Sequence, residues 1–259
     1  MFALITGASK GIGKAIAEEL AARQVNVLLV ARSGQLLEAI AAELSAKYKV
    51  QAHYLAIDLA DPAAAGEVYA WVVRNGYGVN ILVNNAGYGL SGPFEKYSAK
   101  EHTDMMRVNM DVPVTLSSLF LPMLKSFPRS YILNIASAAA YQAVPGLSAY
   151  AGSKAFMLLF SRGLRYELRK SSVSVTVVSP GATDTDFANQ AKVTGKKAVQ
   201  AAERFNMLPQ AVAKLAVKAM YDRKPELVVG LVNKLGAFFV WLLPKSLAEK
   251  TGAGLYEIE

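Results

Sequence analysis

The sequence predicts an α/β fold, in which helices cover both faces of a doubly wound parallel sheet to give three layers in a single domain over residues 1–259. Two observations carry this prediction. Short apolar runs alternate with longer stretches of helical period, and such alternation produces βαβ units. Hydrophobic residues also make up 53% of the chain, and the mean hydropathy is +0.25. Strands that are buried on both faces have this apolar character.

Six apolar runs are predicted as strands, at residues 2–6, 25–31, 50–57, 81–83, 131–136 and 173–178. Between them, helical period is clear over residues 11–23, 35–47, 99–125 and 148–170. Right-handed crossovers bring the carboxyl ends of parallel strands to one edge, where such folds bind their ligands. We therefore expect the functional residues directly after the strands.

The C-terminal quarter is patterned differently. Residues 184–205 are polar and weakly periodic, which predicts a substrate flap; residues 208–221 continue this 184–221 segment as a helix. Within the last segment, 225–259, residues 226–229 predict one more strand and residues 231–243 form an apolar run. This run is too short for a membrane-spanning helix. We expect a pocket wall or a subunit contact there, and contact with a membrane surface is the less favoured alternative.

Composition excludes several classes of function. The net charge is +8, but the basic residues are scattered, which favours a solvated surface over a nucleic-acid site. The chain has no cysteine and two histidines, His53 and His102, so we expect neither disulfides nor a metal site. The sequence enters an apolar run at once, with no signal-peptide pattern, so a cytoplasmic location is the default expectation.

A glycine-rich loop connects the first predicted strand to the first predicted helix. Glycines permit a tight turn there and let backbone N–H groups approach a pyrophosphate at the helix N-terminus. The spacing Gly-x-x-x-Gly-x-Gly between strand and helix favours a dinucleotide site of the Rossmann type over glycines that serve packing alone. The residues assigned to the cofactor are Gly7, Ser9, Lys10, Gly11, Ile12 and Gly13.

The end of the second strand indicates which dinucleotide is bound. An acidic residue usually bonds the ribose 2′-hydroxyl of NAD at this point, whereas this sequence has Arg32. A guanidinium can clamp a 2′-phosphate through paired charge-assisted hydrogen bonds, and Lys10 adds a second positive charge. The sequence therefore favours NADP(H); the alternative is that Arg32 is only an exposed loop charge.

Three further motifs carry a family resemblance. Tyr150 and Lys154 form a Tyr-x-x-x-Lys pair, Ser137 precedes them by thirteen positions, and Asn84-Asn85-Ala86-Gly87 follows the fourth strand. In this order and spacing the chain resembles the short-chain dehydrogenase/reductase family. Within the family it is similar to the NADP-dependent branch of 3-oxoacyl reductases and hydroxysteroid dehydrogenases. The resemblance extends from Thr6 to about Thr185 and weakens after that.

The chemistry of this set can be argued from the residues. Tyr150 and Lys154 share one helix face because they are four positions apart. A phenol has an ordinary pKa of about 10, and a nearby ammonium with an oxidised nicotinamide favours the phenolate. Tyr150 can then exchange a proton with the substrate oxygen at neutral pH. Ser137, at the end of the fifth strand, can hydrogen-bond the same oxygen.

The resemblance implies further roles. Asn109 would hold a water that extends the proton relay through Lys154, and Lys154 would also bind the nicotinamide ribose. Asp58 and Leu59 would meet the adenine ring. The alternative for Asn84 and Asn85 is that they tie the sheet together. The other implied cofactor contacts are Asn85, Ala86, Gly87, Pro180, Gly181, Thr183 and Thr185.

These features predict an NADP(H)-dependent oxidoreductase that transfers a hydride between the nicotinamide and a carbonyl or alcohol carbon, in the reductive direction because cells keep NADP(H) reduced. The alternative is a non-catalytic NADP(H)-binding regulator, which would have no need of Ser137, Tyr150, Lys154 and Asn109 together. A third reading, compatible with the first, is interaction with a membrane surface or an acyl carrier through Phe238, Phe239, Trp241 and scattered lysines.

The substrate pocket is expected from residues 88–94, 138–147 and 184–205. Their apolar residues predict a hydrophobic small molecule or an acyl thioester as substrate. The flap lysines could steer an acidic carrier, although a solvated role is the simpler alternative. The resemblance also implies a homodimer or homotetramer, formed through residues 99–125 and 148–170. The expected lining residues are Phe94, Tyr141, Val144, Leu147 and Phe187, and the flap lysines are Lys192, Lys196 and Lys197.

Overall fold

The fold is seen in a computed structural model that describes residues 1–185, 187, 191, 206–242 and 244–256. Its strands are β1 (Phe2–Thr6), β2 (Asn26–Ala31), β3 (Ala52–Ala56), β4 (Val79–Asn84), β5 (Ser130–Ile135), β6 (Val173–Ser179) and β7 (Glu226–Val228). Its helices are α1 (Gly11–Ala22), α2 (Gly34–Tyr48), α3 (Ala64–Arg74), α4 (Ala99–Met106), α5 (Val112–Lys125), α6 (Ser148–Glu167), α7 (Pro209–Tyr221), α8 (Leu231–Leu242) and α9 (Lys245–Tyr256).

The strands form one parallel sheet in the order β3-β2-β1-β4-β5-β6-β7. The order reverses between β1 and β4, which is the point where open α/β sheets bind ligands outside the carboxyl ends of their strands. The predicted doubly wound parallel sheet is therefore confirmed.

Two apolar layers flank this sheet. Successive side chains of β1 point to opposite faces, so that Ile5 packs with α1, α2 and α7, while Leu4 packs with α3 and α5. Both residues have no solvent exposure. Because helices cover both faces, the strands can be apolar throughout, as the sequence predicted.

The helix predicted over residues 99–125 is interrupted in the structure. A π-helical turn over Arg107–Asp111 separates α4 from α5. Proline at position 113 has no N–H to donate to the carbonyl of Asn109, so regular α-helical hydrogen bonding fails at this point. The apolar period continues across the turn, which is why periodicity alone predicts one helix.

Elsewhere, helix α3 was not predicted, whereas strand β7 was predicted and is present. The apolar run predicted over residues 231–243 is the helix α8, and α9 follows it. Within the described residues, every helix is too short or too polar to cross a bilayer.

Candidate functional site

The glycine loop makes the tight turn that its sequence predicts. Gly7 and Gly11 have positive φ angles of 67° and 53°, a region that favours glycine. A Cβ atom on Gly7 would lie 2.9 Å from the Cα of Ala86, and one on Gly13 would overlap the carbonyl oxygen of Gly7. The loop backbone is therefore packed directly against the start of α1 and the chain after β4, which leaves a side-chain-free cradle of the kind that a pyrophosphate needs.

Thr6 and Asn85 hold this cradle in shape. The hydroxyl oxygen of Thr6 accepts hydrogen bonds from the backbone N–H of Asn85 at 3.0 Å and of Ala86 at 3.1 Å. The Asn85 amide donates to the carbonyl oxygens of Thr6 at 2.9 Å and Gly7 at 3.2 Å. The Asn85 side chain thus ties β4 to the loop, which was the alternative reading of the sequence. Sequence reasoning missed Thr6, although a hydroxyl residue at a strand end beside the loop was the available signal.

We expect Gly13→Ala to disrupt the cradle, because the new methyl group would collide with backbone at Gly7 rather than with a movable side chain. Dinucleotide affinity should fall by about tenfold or more, and the melting temperature should fall as well. Titration calorimetry and thermal melting would measure both effects. Gly66→Ala is the matched control, since a Cβ there meets nothing within 4 Å. An unchanged affinity in Gly13→Ala would contradict a tight cradle.

Positive charge surrounds the carboxyl end of β2. Arg32 follows that strand directly and is exposed, and Lys10 is exposed at the N-cap of α1. The backbone N–H of Ala8 donates to the carbonyl oxygen of Val30 at 3.2 Å, which fixes the glycine loop beside the end of β2. The predicted cations therefore lie on two chain segments that are joined to each other.

Asp58 lies after β3 at the same edge. Its carboxylate accepts a hydrogen bond from the N–H of Ala60 at 3.0 Å, in the loop that also contains the buried Leu59. Burial is the main cause that raises the pKa of Tyr88, and the negative charge of Asp104 is the second. The positive charge of Arg32 lowers this pKa, and the negative charge of Asp58 raises it. Arg32 and Asp58 are thus close enough to Tyr88 for their charges to act on it.

Tyr150 and Lys154 lie one turn apart on α6, and both are buried. The Lys154 ammonium is 5.8 Å from the centre of the Tyr150 ring and donates to the carbonyl oxygen of Ile135 at 3.0 Å. Burial lowers the pKa of Lys154 to about 8. The Tyr150 ring also packs against Phe187, with 5.2 Å between the ring centres. The pair is therefore held against the end of β5.

Ser137 stands two residues beyond the carbonyl that Lys154 contacts. It caps a 3₁₀ turn over Ala138–Tyr141, and its hydroxyl oxygen accepts from the N–H of Ala139 at 3.1 Å. This bond fixes the hydroxyl oxygen while leaving its proton available to a ligand. Ser137, Tyr150 and Lys154 are thus all placed around the carboxyl end of β5.

Asn109 belongs to the π turn and its side chain faces α6. Its amide donates to the carbonyl oxygen of Tyr88 at 3.0 Å and to the hydroxyl of Ser153 at 2.9 Å, and it accepts from the N–H of Tyr88 at 3.1 Å. Ser153 in turn donates to the carbonyl oxygen of Tyr150 at 2.7 Å. This chain of bonds connects Asn109 to the turn of α6 that carries Tyr150. Ser153 was missed by sequence reasoning; its signal was a polar residue on the buried face of α6.

Gly87 lies next to the side chains of both Asn109 and Lys154. A Cβ atom on it would lie 2.9 Å from the Asn109 amide oxygen and 3.1 Å from the Lys154 nitrogen. The side chains of Asn109 and Lys154 therefore approach the same stretch of backbone after β4.

The loop after β6 closes the edge of the sheet. Its backbone pairs with Met207, since the N–H of Asp184 donates to Met207 at 2.9 Å and the N–H of Met207 donates to Ala182 at 3.2 Å. The Thr185 methyl carbon would lie 2.9 Å from a Cβ atom on Gly11. This loop, which holds Pro180, Gly181 and Thr183, thus reaches across to the glycine loop.

The predicted apolar lining is only partly assembled. Val144, Leu147 and Phe187 form one cluster with Tyr150, which also includes the buried Met105. Two other predicted lining residues point elsewhere. Phe94 is 67% exposed and stacks on His102 at 4.4 Å between ring centres, and the Tyr141 hydroxyl donates to Glu226 at 2.6 Å. Lys192, Lys196 and Lys197 lie outside the described residues.

Comparison with known proteins shows the family of this chain. Residues 1–195 match the sequence profile of the short chain dehydrogenase family. Hydroxysteroid dehydrogenase-like protein 1 of Gallus gallus is 33% identical over 198 residues, which cover 76% of this chain and 60% of that protein. Very-long-chain 3-oxoacyl-CoA reductase-A of Danio rerio is 36% identical over 185 residues, which cover 69% of this chain and 57% of that protein. The chain thus spans less than two thirds of the length of these relatives.

Solved structures show the same architecture. A short-chain dehydrogenase from Sphingobium yanoikuyae, in complex with NADPH, aligns with a TM-score of 0.80 at 31% sequence identity. The alignment covers 92% of each chain.

Proposed function

The chain belongs to the short-chain dehydrogenase family, and we propose that it transfers a hydride between NADP(H) and a carbonyl or alcohol carbon of a hydrophobic substrate. The observation that carries the proposal is the placement of Tyr150 and Lys154, 5.8 Å apart from ring centre to nitrogen and buried beside the end of β5. A phenol and an ammonium at a ligand-binding edge suit proton transfer to an oxygen atom.

Each residue of the group has a separate task in this proposal. Tyr150 gives its proton to the substrate oxygen in reduction and takes it back in oxidation. Lys154 provides the positive charge that favours the phenolate, and Ser137 hydrogen-bonds the substrate oxygen to hold it in place. Asn109 holds the end of the α6 turn through Ser153. The dinucleotide, when bound, supplies or accepts the hydride.

The observed cradle fits a dinucleotide. A loop of glycine backbone at the start of α1 suits a pyrophosphate, and Arg32 with Lys10 suits a ribose 2′-phosphate. The similar Sphingobium dehydrogenase is an NADPH complex, which also supports NADP(H) for this chain.

For Arg32→Asp we expect the dissociation constant for NADPH to rise by about 100-fold, because an attractive charge at the 2′-phosphate becomes a repulsive one. The constant for NADH, which has no such phosphate, should change by less than about threefold. Fluorescence titration with both nucleotides would measure the two constants. Arg74→Asp, which makes the same charge change at an exposed position on α3, is the control. Equal effects on both nucleotides would rule out the clamp.

The substrate class follows from the lining around Tyr150. Val144, Leu147, Met105 and Phe187 offer apolar contacts and no charge, which favours a hydrophobic ketone, an aldehyde or a 3-oxoacyl thioester. The Danio rerio relative, named as a 3-oxoacyl-CoA reductase, supports the last of these.

A panel of ketones, aldehydes, steroids and 3-oxoacyl thioesters, followed by the loss of NADPH absorbance, tests the proposed function. We expect turnover with one or more hydrophobic members and a preference for longer chains. If NADPH binds but no member of a broad panel reacts, the non-catalytic regulator replaces the enzyme as the better reading.

A further inference from the structure

Helix α8 turns a large apolar face away from the protein. Leu231, Val232, Leu235, Phe239 and Leu242 are each between 48% and 72% exposed. Leu231 and Val232 each lie three or four positions before Leu235, and Phe239 and Leu242 continue the same spacing, so the five residues lie on one broad face. Phe238 extends this face, with its ring 5.7 Å from that of Phe239. Isolated exposed leucines are ordinary, but a contiguous group of this kind marks an interaction site.

The opposite side of α8 is attached to the body of the protein. The amide of Asn233 donates to the carbonyl oxygen of Val229 at 2.8 Å, and a Cβ on Gly181 would overlap that amide. The N–H of Lys234 donates to the carbonyl oxygen of Gly230 at 3.0 Å, which is a hydrogen bond of the helix's own first turn. Ala237 and Val240, on the Asn233 side, are only partly exposed. The helix is therefore anchored by the side that carries Asn233, and its larger apolar side chains are presented outward.

Positive charge lies on this helix and on the helix that follows it in the chain. Lys234 on α8, and Lys245 and Lys250 on α9, are exposed, against one exposed acidic residue, Glu249, among the described residues of the two helices. The whole chain carries a net charge of +8. Lys234 is next to Leu235 on α8 and so lies beside the apolar face. An apolar helix face accompanied by lysines is the pattern of helices that lie in a membrane interface, where apolar side chains enter the acyl boundary and lysines meet anionic headgroups.

We propose that the exposed face of α8 docks on the surface of an anionic lipid bilayer. With 12 residues the helix is about 18 Å long, shorter than the roughly 30 Å of a bilayer core, so it lies in the plane of the interface. A second copy of the chain is a poorer occupant. A two-fold contact through this face would bring Lys234 of one copy and Lys234 of the other to the same interface, where their charges repel.

The test uses the full chain with two kinds of vesicle, one of phosphatidylcholine alone and one that also contains about 30% phosphatidylglycerol. We expect the wild type to sediment with the anionic vesicles, and less strongly with the neutral ones. Leu235→Gln combined with Phe239→Gln should lower the partition coefficient by about tenfold or more, because it removes two inserted side chains while keeping a helix former at position 235.

The control is Leu36→Gln with Val73→Gln, which changes two comparably exposed apolar residues on α2 and α3. It should bind vesicles as the wild type does. A second variant, Lys234→Glu with Lys245→Glu, leaves the apolar face intact and should lose the preference for anionic vesicles. It therefore tests the proposal even if the first variant folds poorly.

Four results would overturn the proposal. The first two are the absence of wild-type binding to anionic vesicles, and binding by Leu235→Gln with Phe239→Gln that equals the wild type. The third is an unchanged preference for anionic vesicles in Lys234→Glu with Lys245→Glu. The fourth is a drop in the molar mass of Leu235→Gln with Phe239→Gln in lipid-free sedimentation equilibrium, which would assign the face to a second copy. The docking does not depend on the proposed function. NADPH affinity, measured on the same variants, should be unchanged, so that failure of one proposal is distinguishable from failure of the other.

Discussion

Tyr150→Phe is expected to lower kcat by about 10³-fold while leaving NADPH affinity within about twofold of the wild type. Only the hydroxyl is removed, so the ring still packs against Phe187 at 5.2 Å and the neighbouring backbone is undisturbed. Steady-state rates on the best substrate of the panel and NADPH titration would measure the two effects. The melting temperature should move little, which separates loss of chemistry from loss of fold.

Tyr166→Phe supplies the matched control. Tyr166 lies on the same helix and is 67% exposed, so the same chemical change there should leave kcat unaltered. If Tyr150→Phe kept a substantial part of the wild-type rate, proton transfer would have to be assigned to another group.

Lys154→Met should abolish turnover and, at the same time, stabilise the dinucleotide-free protein. Burial lowers the pKa of the ammonium from 10.5 to about 8, which corresponds to a desolvation cost of about 3 kcal/mol at neutral pH. Removal of this cost raises the free energy of unfolding, and loss of the hydrogen bond to Ile135 offsets about 1 kcal/mol of that increase. At roughly 2–4 °C per kcal/mol for a chain of this size, the melting temperature should rise by several degrees.

The pH dependence of this stabilisation has a definite sign. Below about pH 8 the amine is charged in both folded and unfolded chains, so the folded protein bears the whole desolvation cost. Between about pH 8 and 10.5 the folded chain loses its proton while the unfolded chain keeps it, and the free energy of unfolding of the wild type rises. The advantage of Lys154→Met should therefore be largest below pH 8 and should shrink as pH rises through this window. Denaturant titrations at several pH values would check it, and an advantage that grew with pH would contradict a buried ammonium.

The sequence was sufficient to predict those structural features that are local or that follow from the order of the strands. The turn at Gly7 and Gly11 needs positive φ angles, and the helical spacing of Tyr150 and Lys154 places them on one face whatever surrounds them. Once the strands are correctly identified, the parallel sheet brings their carboxyl ends to one edge.

The features that could not be predicted from the sequence depend mainly on contacts between residues that are not neighbours in the chain. Tyr141 was expected in the pocket, yet its hydroxyl bonds Glu226, a residue 85 positions away on β7. Phe94 stacks on His102 because a 3₁₀ turn over Phe94–Lys96 and the helix α4 bring the two rings together, and nothing in the local pattern indicates this. The break at Asn109 escaped prediction because a π turn shifts the hydrogen bonds without interrupting the run of apolar residues.

The position of β1 in the sheet constrains how the chain assembles. Phe2 pairs with Asn26 on one side and with Val79 on the other, so the earliest strand is completed only by a partner that arrives much later. A growing chain that stops before β4 can pair β1 with β2, and β2 with β3, but leaves one edge of β1 open to water and to other chains. Closure of the β1–β4 pair spans the longest stretch of sequence of any strand pairing in the described sheet. Because such non-local pairing slows folding, we expect this closure to be the step at which nascent molecules are most exposed to aggregation.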